Sequence, residues 1–400
     1  MFIKRWAVNG TRCTVGGERL AVHGTRCTVG EERFTVHGER CTVGGILNLV
    51  PPTAYRVPCT AYRVPPTVYR LPLTVYLLFF LFSSCIKIEE FPNNPHGNFE
   101  VLWKIMDEHY CFFQYKEINW DKVYSDYHNR IDNNMNNESL FMLLNEMLKE
   151  LKDGHVNLAS PFDVGRYWKW FEDYPRNFNL TVRDNYLSPN YAISGGIRYK
   201  ILEDNIGYMY YGDFSSGIGE ANIDYILDKL SICDGIIFDV RDNGGGLLSN
   251  VEKLASRFVN EKTLVGYIQH KTGKGHNDFS KPFARYNIPS TRLRYQKPVV
   301  VLTNRSCYSA TNDFVNAMRY CPNVTILGDK TGGGSGLPFH SEIPVGWSVR
   351  FSACPVFDAD MQHIEFGIEP DIHVNLLEQD VKRGKDTLIE TARDLLKAKK

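Results

Sequence analysis

Two short apolar runs limit this chain more than any other feature of its sequence. Gly235-Ile-Ile-Phe-Asp-Val240 and Pro298-Val-Val-Val-Leu-Thr303 are apolar at nearly every position. A strand with one wet face alternates apolar and polar residues, so both runs must be covered on both faces. They are too short for buried helices and rich in β-branched residues, which favours central strands. Helical patterns accompany them at Ala221 to Leu230, Val251 to Phe258 and about Ser309 to Arg319. Further strands are predicted at Ile206 to Tyr211 and Val324 to Leu327. Such alternation predicts an α/β fold, a mostly parallel sheet with helices on its faces. Ligand sites in these folds lie beyond the carboxyl ends of the strands. Three polar or glycine-rich loops fall there: 241–246, 304–310 and 328–336.

The N-terminal residues follow a different rule. Heptads such as VHGTRCT, VGEERFT and VHGERCT fill residues 8–42, and a second heptad family, TAYRVPC and its variants, begins at Thr53. Each unit carries Gly or Pro, so a coiled coil is excluded. The expectation for residues 1–70 is a low-complexity arm without a core, or an in-frame stretch upstream of the true start. Cys13, Cys27, Cys41 and Cys59 recur because the repeat recurs and are no disulfide or metal framework. Residues 71–85 end in an apolar run of signal-peptide length followed by Ser83-Ser84-Cys85, the pattern of a bacterial lipoprotein signal. That reading makes Cys85 a lipidation site, residues 86–97 a tether, and the cell envelope (periplasm or outer membrane) the location. Contact with a membrane would then run only through the lipid anchor.

Residues 98–170 read as a small helical subdomain, 171–380 as the main α/β core and 381–400 as a C-terminal helix. Leu140, Leu143, Leu144, Met147 and Leu151 carry one helix, which ends near Gly154. The stretch 160–200 is aromatic and irregular, and at about forty residues it is too short for a PDZ domain. The chain balances 46 basic against 46 acidic residues, which gives no support to nucleic-acid binding. Residues 1–84 contain ten Lys and Arg against four Glu, so the remainder is mildly acidic.

Ser309 follows a buried strand and opens a helix. There the helix dipole stabilises a developing alkoxide, although serine is equally common as a simple N-cap. Gly244, Gly245 and Gly246, and Gly332, Gly333 and Gly334, are runs whose N–H groups can approach a substrate closely. One such N–H, with that of Ala310, could form an oxyanion hole. Neither run has a P-loop ending, so nucleotide binding is weakly supported. No His/Cys cluster has metal spacing, and neither metal nor cofactor is expected.

Five motifs in order, DGH at 153–155, GIIFDVRDNGGG at 235–246, VVVLTNRSCYSATNDF at 299–314, GDKTGGG at 328–334 and GIEPDI at 367–372, resemble the C-terminal processing, or tail-specific, serine peptidases. The resemblance covers about residues 98–376. It implies a crotonase-like (ClpP/crotonase) core with an added helical subdomain, and cleavage of protein or peptide substrates. It implies Ser309 as nucleophile, with Ala310 and Gly246, or Gly245 as near alternative, as oxyanion donors. The family's lysine branch places its base twenty-five residues after the nucleophile, where this chain has Gly334. Lys330 lies four residues too early. The chain fits instead the tricorn-like branch, whose base is an upstream histidine, here His155. A carboxylate should orient that imidazole. Glu365 is favoured over Glu369, which sits in a turn-like Glu-Pro-Asp segment. The tricorn enzymes carry a serine before the histidine, where this chain has Gly154. Two other classes remain: a peptidase-fold binding protein without turnover, and a crotonase-type acyl-CoA enzyme.

Overall fold

The computed structural model describes residues 90–398, together with the backbone of short strands between residues 6 and 42. The expectations for the signal-like segment and Cys85 lie outside the described residues. Within the repeats, Arg33–Val36 pairs antiparallel with Glu39–Thr42, and Thr11–Val15 pairs with Trp6–Val8 and Arg19–Val22.

The remaining residues form one compact unit. Its elements in chain order are α1 (Pro95–His109), α2 (Trp120–His128), α3 (Asn137–Lys149), β1 (Asn157–Ala159), β2 (Val164–Gly165), α4 (Leu180–Leu187), β3 (Ala192–Ser194), β4 (Ile197–Ile201), β5 (Ile206–Tyr210), α5 (Glu220–Leu230), β6 (Gly235–Asp239) and α6 (Leu248–Ala255). They continue with β7 (Thr263–Ile268), β8 (Phe283–Asn287), β9 (Val299–Thr303), α7 (Ala310–Met318), β10 (Val324–Gly328), β11 (Gly336–Glu342), β12 (Ser348–Phe357), β13 (Ile372–His373) and α8 (Thr387–Ala398).

Seven strands form the main sheet in the order β13-β10-β9-β6-β5-β4-β3. The pairs from β13 to β5 are parallel; β4 and β3 add an antiparallel edge. The two apolar runs became its central strands β6 and β9, and every residue of both is buried. Successive side chains point to opposite faces. Ile236, Phe238, Val299 and Val301 therefore meet α5, α6 and α7 in one core, while Ile237, Val300 and Leu302 meet Leu388, Ile389 and Leu396 of α8 in another.

A second, antiparallel sheet has the order β8-β7-β12-β1-β2, with β11 against β12. The sequence reading did not anticipate it. Its strand β1 is three residues long and lies 190 residues before its partner, so no local pattern announces the pairing. The helices α1 to α3 share a core with this sheet: Phe99, Leu102, Leu144 and Met147 pack with Trp347, Val349 and Phe351. Asn94, Asn119 and Asn136 cap the three helices through side-chain acceptors.

Arg241 and Asp239 are both fully buried. The guanidinium bonds Asp239 at 2.7 Å and Asp386, just before α8, at 3.1 Å. This pair fixes the loop after β6 to the start of the last helix, a structural task rather than a chemical one.

Candidate active site

The strand ends bring the predicted loops together at one edge of the sheet. Ser309 sits between β9 and α7 with φ 56° and ψ −121°. A non-glycine residue there costs about 1–3 kcal/mol and is tolerated only where the surroundings impose it. Here the Ser309 N–H donates to the Gly333 carbonyl at 2.9 Å, and Tyr308 and Gly333 form a parallel bridge. Ser309 holds the N-cap position, yet its hydroxyl bonds no helix N–H. Its Oγ lies 2.9 Å from His155 Nε2 instead.

His155 is placed by the turn that follows α3. Asp153 Oδ1 accepts the His155 N–H at 2.8 Å, closing a tight local turn, and β1 then runs into the second sheet. The imidazole is buried and packs on the Tyr308 ring at 4.9 Å, and Trp170 stacks on Tyr308 at 4.0 Å. A Cβ on Gly154 would lie 2.5 Å from Trp170 Nε1 and 2.8 Å from the Tyr308 hydroxyl. The space for the tricorn-type serine is thus filled by aromatic side chains. Burial pulls the His155 pKa down to about 4, against the pull of Asp153, and Arg350 and Lys116 lower it further. The ring is therefore neutral at neutral pH and able to accept a proton.

The first glycine loop abuts the serine. A Cβ on Gly245 would fall 2.8 Å from Ser309 Cβ and 2.9 Å from Ala310 N. The Gly245 N–H is already taken by Asn243 Oδ1 at 3.0 Å. Gly246 bridges Phe214, but the bonds of that bridge use the Gly245 carbonyl and the Leu247 N–H. Among the described residues, the N–H groups of Gly246 and Ala310 have no acceptor. Both residues line the same cavity of about 310 Å³ as Ser309.

Glu365 does not reach His155. Its Oε1 accepts from Lys116 Nζ at 2.8 Å and its Oε2 from the Ser335 N–H at 2.7 Å. The nearest acid to the histidine is Asp153, whose Oδ2 accepts from the Ser352 hydroxyl at 2.9 Å and from Tyr110 at 3.0 Å. Lys116 Nζ lies 3.4 Å from the same oxygen, so one ammonium serves two buried carboxylates. Burial pushes Asp153 up, but Lys116 and then His155 outweigh it and hold the acid below its ordinary range. Glu365 goes the other way, raised by burial to about 7. Lys116 could not be foreseen, because Glu365 lies 249 residues further along the chain.

Two rejected alternatives are explained by the same geometry. Lys330 pairs with Glu369 at 2.8 Å. Gly334, where the lysine branch has its base, has φ +78°, and a Cβ there would be 2.4 Å from the Tyr308 ring. Among the described residues, no group of His, Cys, Asp and Glu is arranged to hold a metal ion.

An α/β scaffold with a strained serine at a strand–helix junction and a buried histidine on its hydroxyl defines a serine-hydrolase type of site. Comparison with known proteins gives the family. Residues 205–374 match the model of peptidase family S41, and residues 91–149 that of the tricorn protease C1 domain. The crystal structure of a proposed peptidase from Parabacteroides merdae is 56% identical, covers 76% of this chain and 97% of its own, and superposes with TM-score 0.74. The chain belongs to peptidase family S41. The carboxy-terminal processing protease CtpA of Bacillus subtilis is 26% identical over 180 residues, 44% of this chain and 36% of that protein. A carboxy-terminal-processing protease of Bartonella bacilliformis is 26% identical over 204 residues, 48% of this chain and 44% of its own. The chain thus spans less than half the length of these curated relatives. Mature CPAF in complex with lactacystin shares the fold at TM-score 0.58 and 11% identity, covering 76% of this chain and 98% of its own.

Proposed function

We propose that this chain is a serine endopeptidase that cleaves protein or peptide substrates through an acyl-enzyme intermediate. The contact of 2.9 Å between Ser309 Oγ and His155 Nε2 carries the reading. In the first step Oγ attacks the scissile carbonyl carbon while its proton passes to Nε2. The negative oxygen so formed accepts from the N–H groups of Gly246 and Ala310. The C–N bond then breaks, and the amine leaves with the proton from His155. A water molecule repeats the sequence on the ester and releases the acid.

Among the described residues, no acid group bonds the imidazole directly. Asp153 supplies negative charge from the His155 backbone side, held by Lys116, Tyr110 and Ser352, while Glu365 bonds the same Lys116. We read Glu365 as a member of this supporting cluster. The core counts as crotonase-like in this proposal, with no PDZ domain. Attachment to the cell envelope rests on the sequence of residues 71–85; among the described residues no helix is long and apolar enough to cross a membrane.

A fluorophosphonate probe tests the reading against an inactive binding protein of the same fold. It should label the protein at Ser309 and fail on Ser309→Ala and His155→Ala. Absence of labelling on the unaltered protein removes the peptidase reading.

The acid limb of kcat/KM should lie near pH 4 rather than 6.5. His155 accepts a proton only while neutral, so activity is present above its folded pKa of about 4 and lost as pH falls through it. A limb near 6.5–7 that disappears in Glu365→Gln would report Glu365; one that persists there contradicts this account of His155.

Gly246→Ala should cost activity about 10²–10³-fold by displacing an oxyanion donor. Gly246 has φ +142°, and the new Cβ would meet Phe214 C at 2.3 Å and Ser215 N at 2.4 Å. Rates with a small ester substrate check this, and a loss under about threefold would contradict the assignment.

A further inference from the structure

Arg350 is the charged group beside the nucleophile that the chemistry above does not use. It lies on β12, where Arg350 pairs with Asn157 of β1, two residues beyond His155. Strand periodicity puts it on the same face as Ser352, whose hydroxyl donates to Asp153, and opposite Val349 and Phe351, which are buried against the helices. Its side chain lines the 310 Å³ cavity and also a neighbouring cleft that contains His155, Gly154 and the 244–246 glycines. Ser309 is common to both.

The other charges in and around these cavities are accounted for. Asp313 takes both nitrogens of Arg285 at 2.6 Å. Asp153 is held by Lys116, Tyr110 and Ser352. Asp213, exposed on the rim of the second cleft, accepts the Ser215 N–H at 2.7 Å. Among the described residues, the Arg350 guanidinium makes no ion pair or hydrogen bond, although the residue is half-buried. A guanidinium withdrawn from water loses solvation that only an anion or good acceptors restore, and its planar fork matches a carboxylate.

We propose that Arg350 docks a carboxylate of the substrate beside Ser309. The inference rests on the peptidase reading. The carboxylate belongs to the half of the substrate that departs as the amine. That half must pass His155 to collect its proton, and Arg350 flanks the cleft that His155 lines. Two sources supply the same chemistry, the free C-terminus of a polypeptide and an Asp or Glu side chain near the cleaved bond.

Three leucine–alanine hexapeptides separate them: one with a free C-terminal carboxylate, one amidated, and one amidated with Asp replacing the last alanine. Binding is measured by calorimetry on Ser309→Ala, so the result does not depend on turnover. At least one acid peptide should bind about tenfold or more tighter than the neutral amide. The peptide that gains identifies the source. Adding Arg350→Gln should bring that ratio close to one, and Arg350→Lys should leave an intermediate ratio, because it keeps charge without the fork. Equal binding of all three peptides to Ser309→Ala overturns the proposal, as does a ratio that survives in both Arg350 variants. Should Arg350→Gln not fold, the Arg350→Lys ratio decides: a ratio unchanged from that of Ser309→Ala overturns it. Failure of fluorophosphonate labelling would instead remove the peptidase reading, with the carboxylate preference still measurable.

Discussion

Ser309→Ala is expected to lower kcat/KM for peptide hydrolysis by about 10³–10⁶-fold while leaving the fold in place. The loss follows from the chemistry: among the described residues no other hydroxyl is set on His155 Nε2. The intact fold follows from the backbone. An N-cap serine replaced by alanine ordinarily costs about 0.5–2 kcal/mol, because its hydroxyl bonds a helix N–H. Ser309 makes no such bond, and alanine inherits the same φ of 56° without added strain. The denaturation midpoint should therefore barely move. His155→Ala should lose activity to a similar degree, and the double variant should lose little more, since the two groups act as a unit. Glu365→Gln should retain far more activity than His155→Ala. Equal losses in those two variants would return Glu365 to the place beside the imidazole that its sequence position suggested.

Lys116→Met is expected to destabilise the protein by about 3–5 kcal/mol, the cost of leaving buried charge without its partner. The lysine side chain is only 4% exposed, and it lies within ion-pair distance of both Asp153 and Glu365. The loss should be smaller at pH 5 than at pH 8. Burial raises Glu365 to about 7, so at pH 5 its folded-state carboxyl is protonated and one charge fewer is stranded. Combining Lys116→Met with Glu365→Gln should recover part of the stability at pH 8. Chemical denaturation at the two pH values measures both effects. A loss below about 1 kcal/mol at pH 8 would mean that the ammonium contributes no more than an exposed pair does.

The site was legible in the sequence to different depths. Ser309 was visible because a strand and a helix pattern meet at it. His155 was visible through the Asp-Gly-His motif, whose aspartate also makes the local turn. The choice between Gly245 and Gly246 was not legible, because it depends on Asn243 Oδ1 occupying one N–H and leaving the other. That Glu365 is bonded away from the imidazole was illegible for a related reason. The carboxylate has a nearer cation in Lys116 and a backbone donor in Ser335, and both were invisible along the chain.

The sequence by itself determined the central parallel sheet. Strands covered on both faces must be apolar throughout, and that composition is readable residue by residue. It also determined the serine at the strand end and the absence of a lysine at position 334. Only the tertiary structure decided what surrounds the histidine. Burial lowers its pKa, Tyr308 and Trp170 fill the space beside Gly154, and the antiparallel sheet brings Arg350 to the same cleft. These depend on contacts between segments far apart in the chain, such as the 154 residues between His155 and Ser309, or on solvent exclusion by the assembled fold, and neither leaves a local pattern.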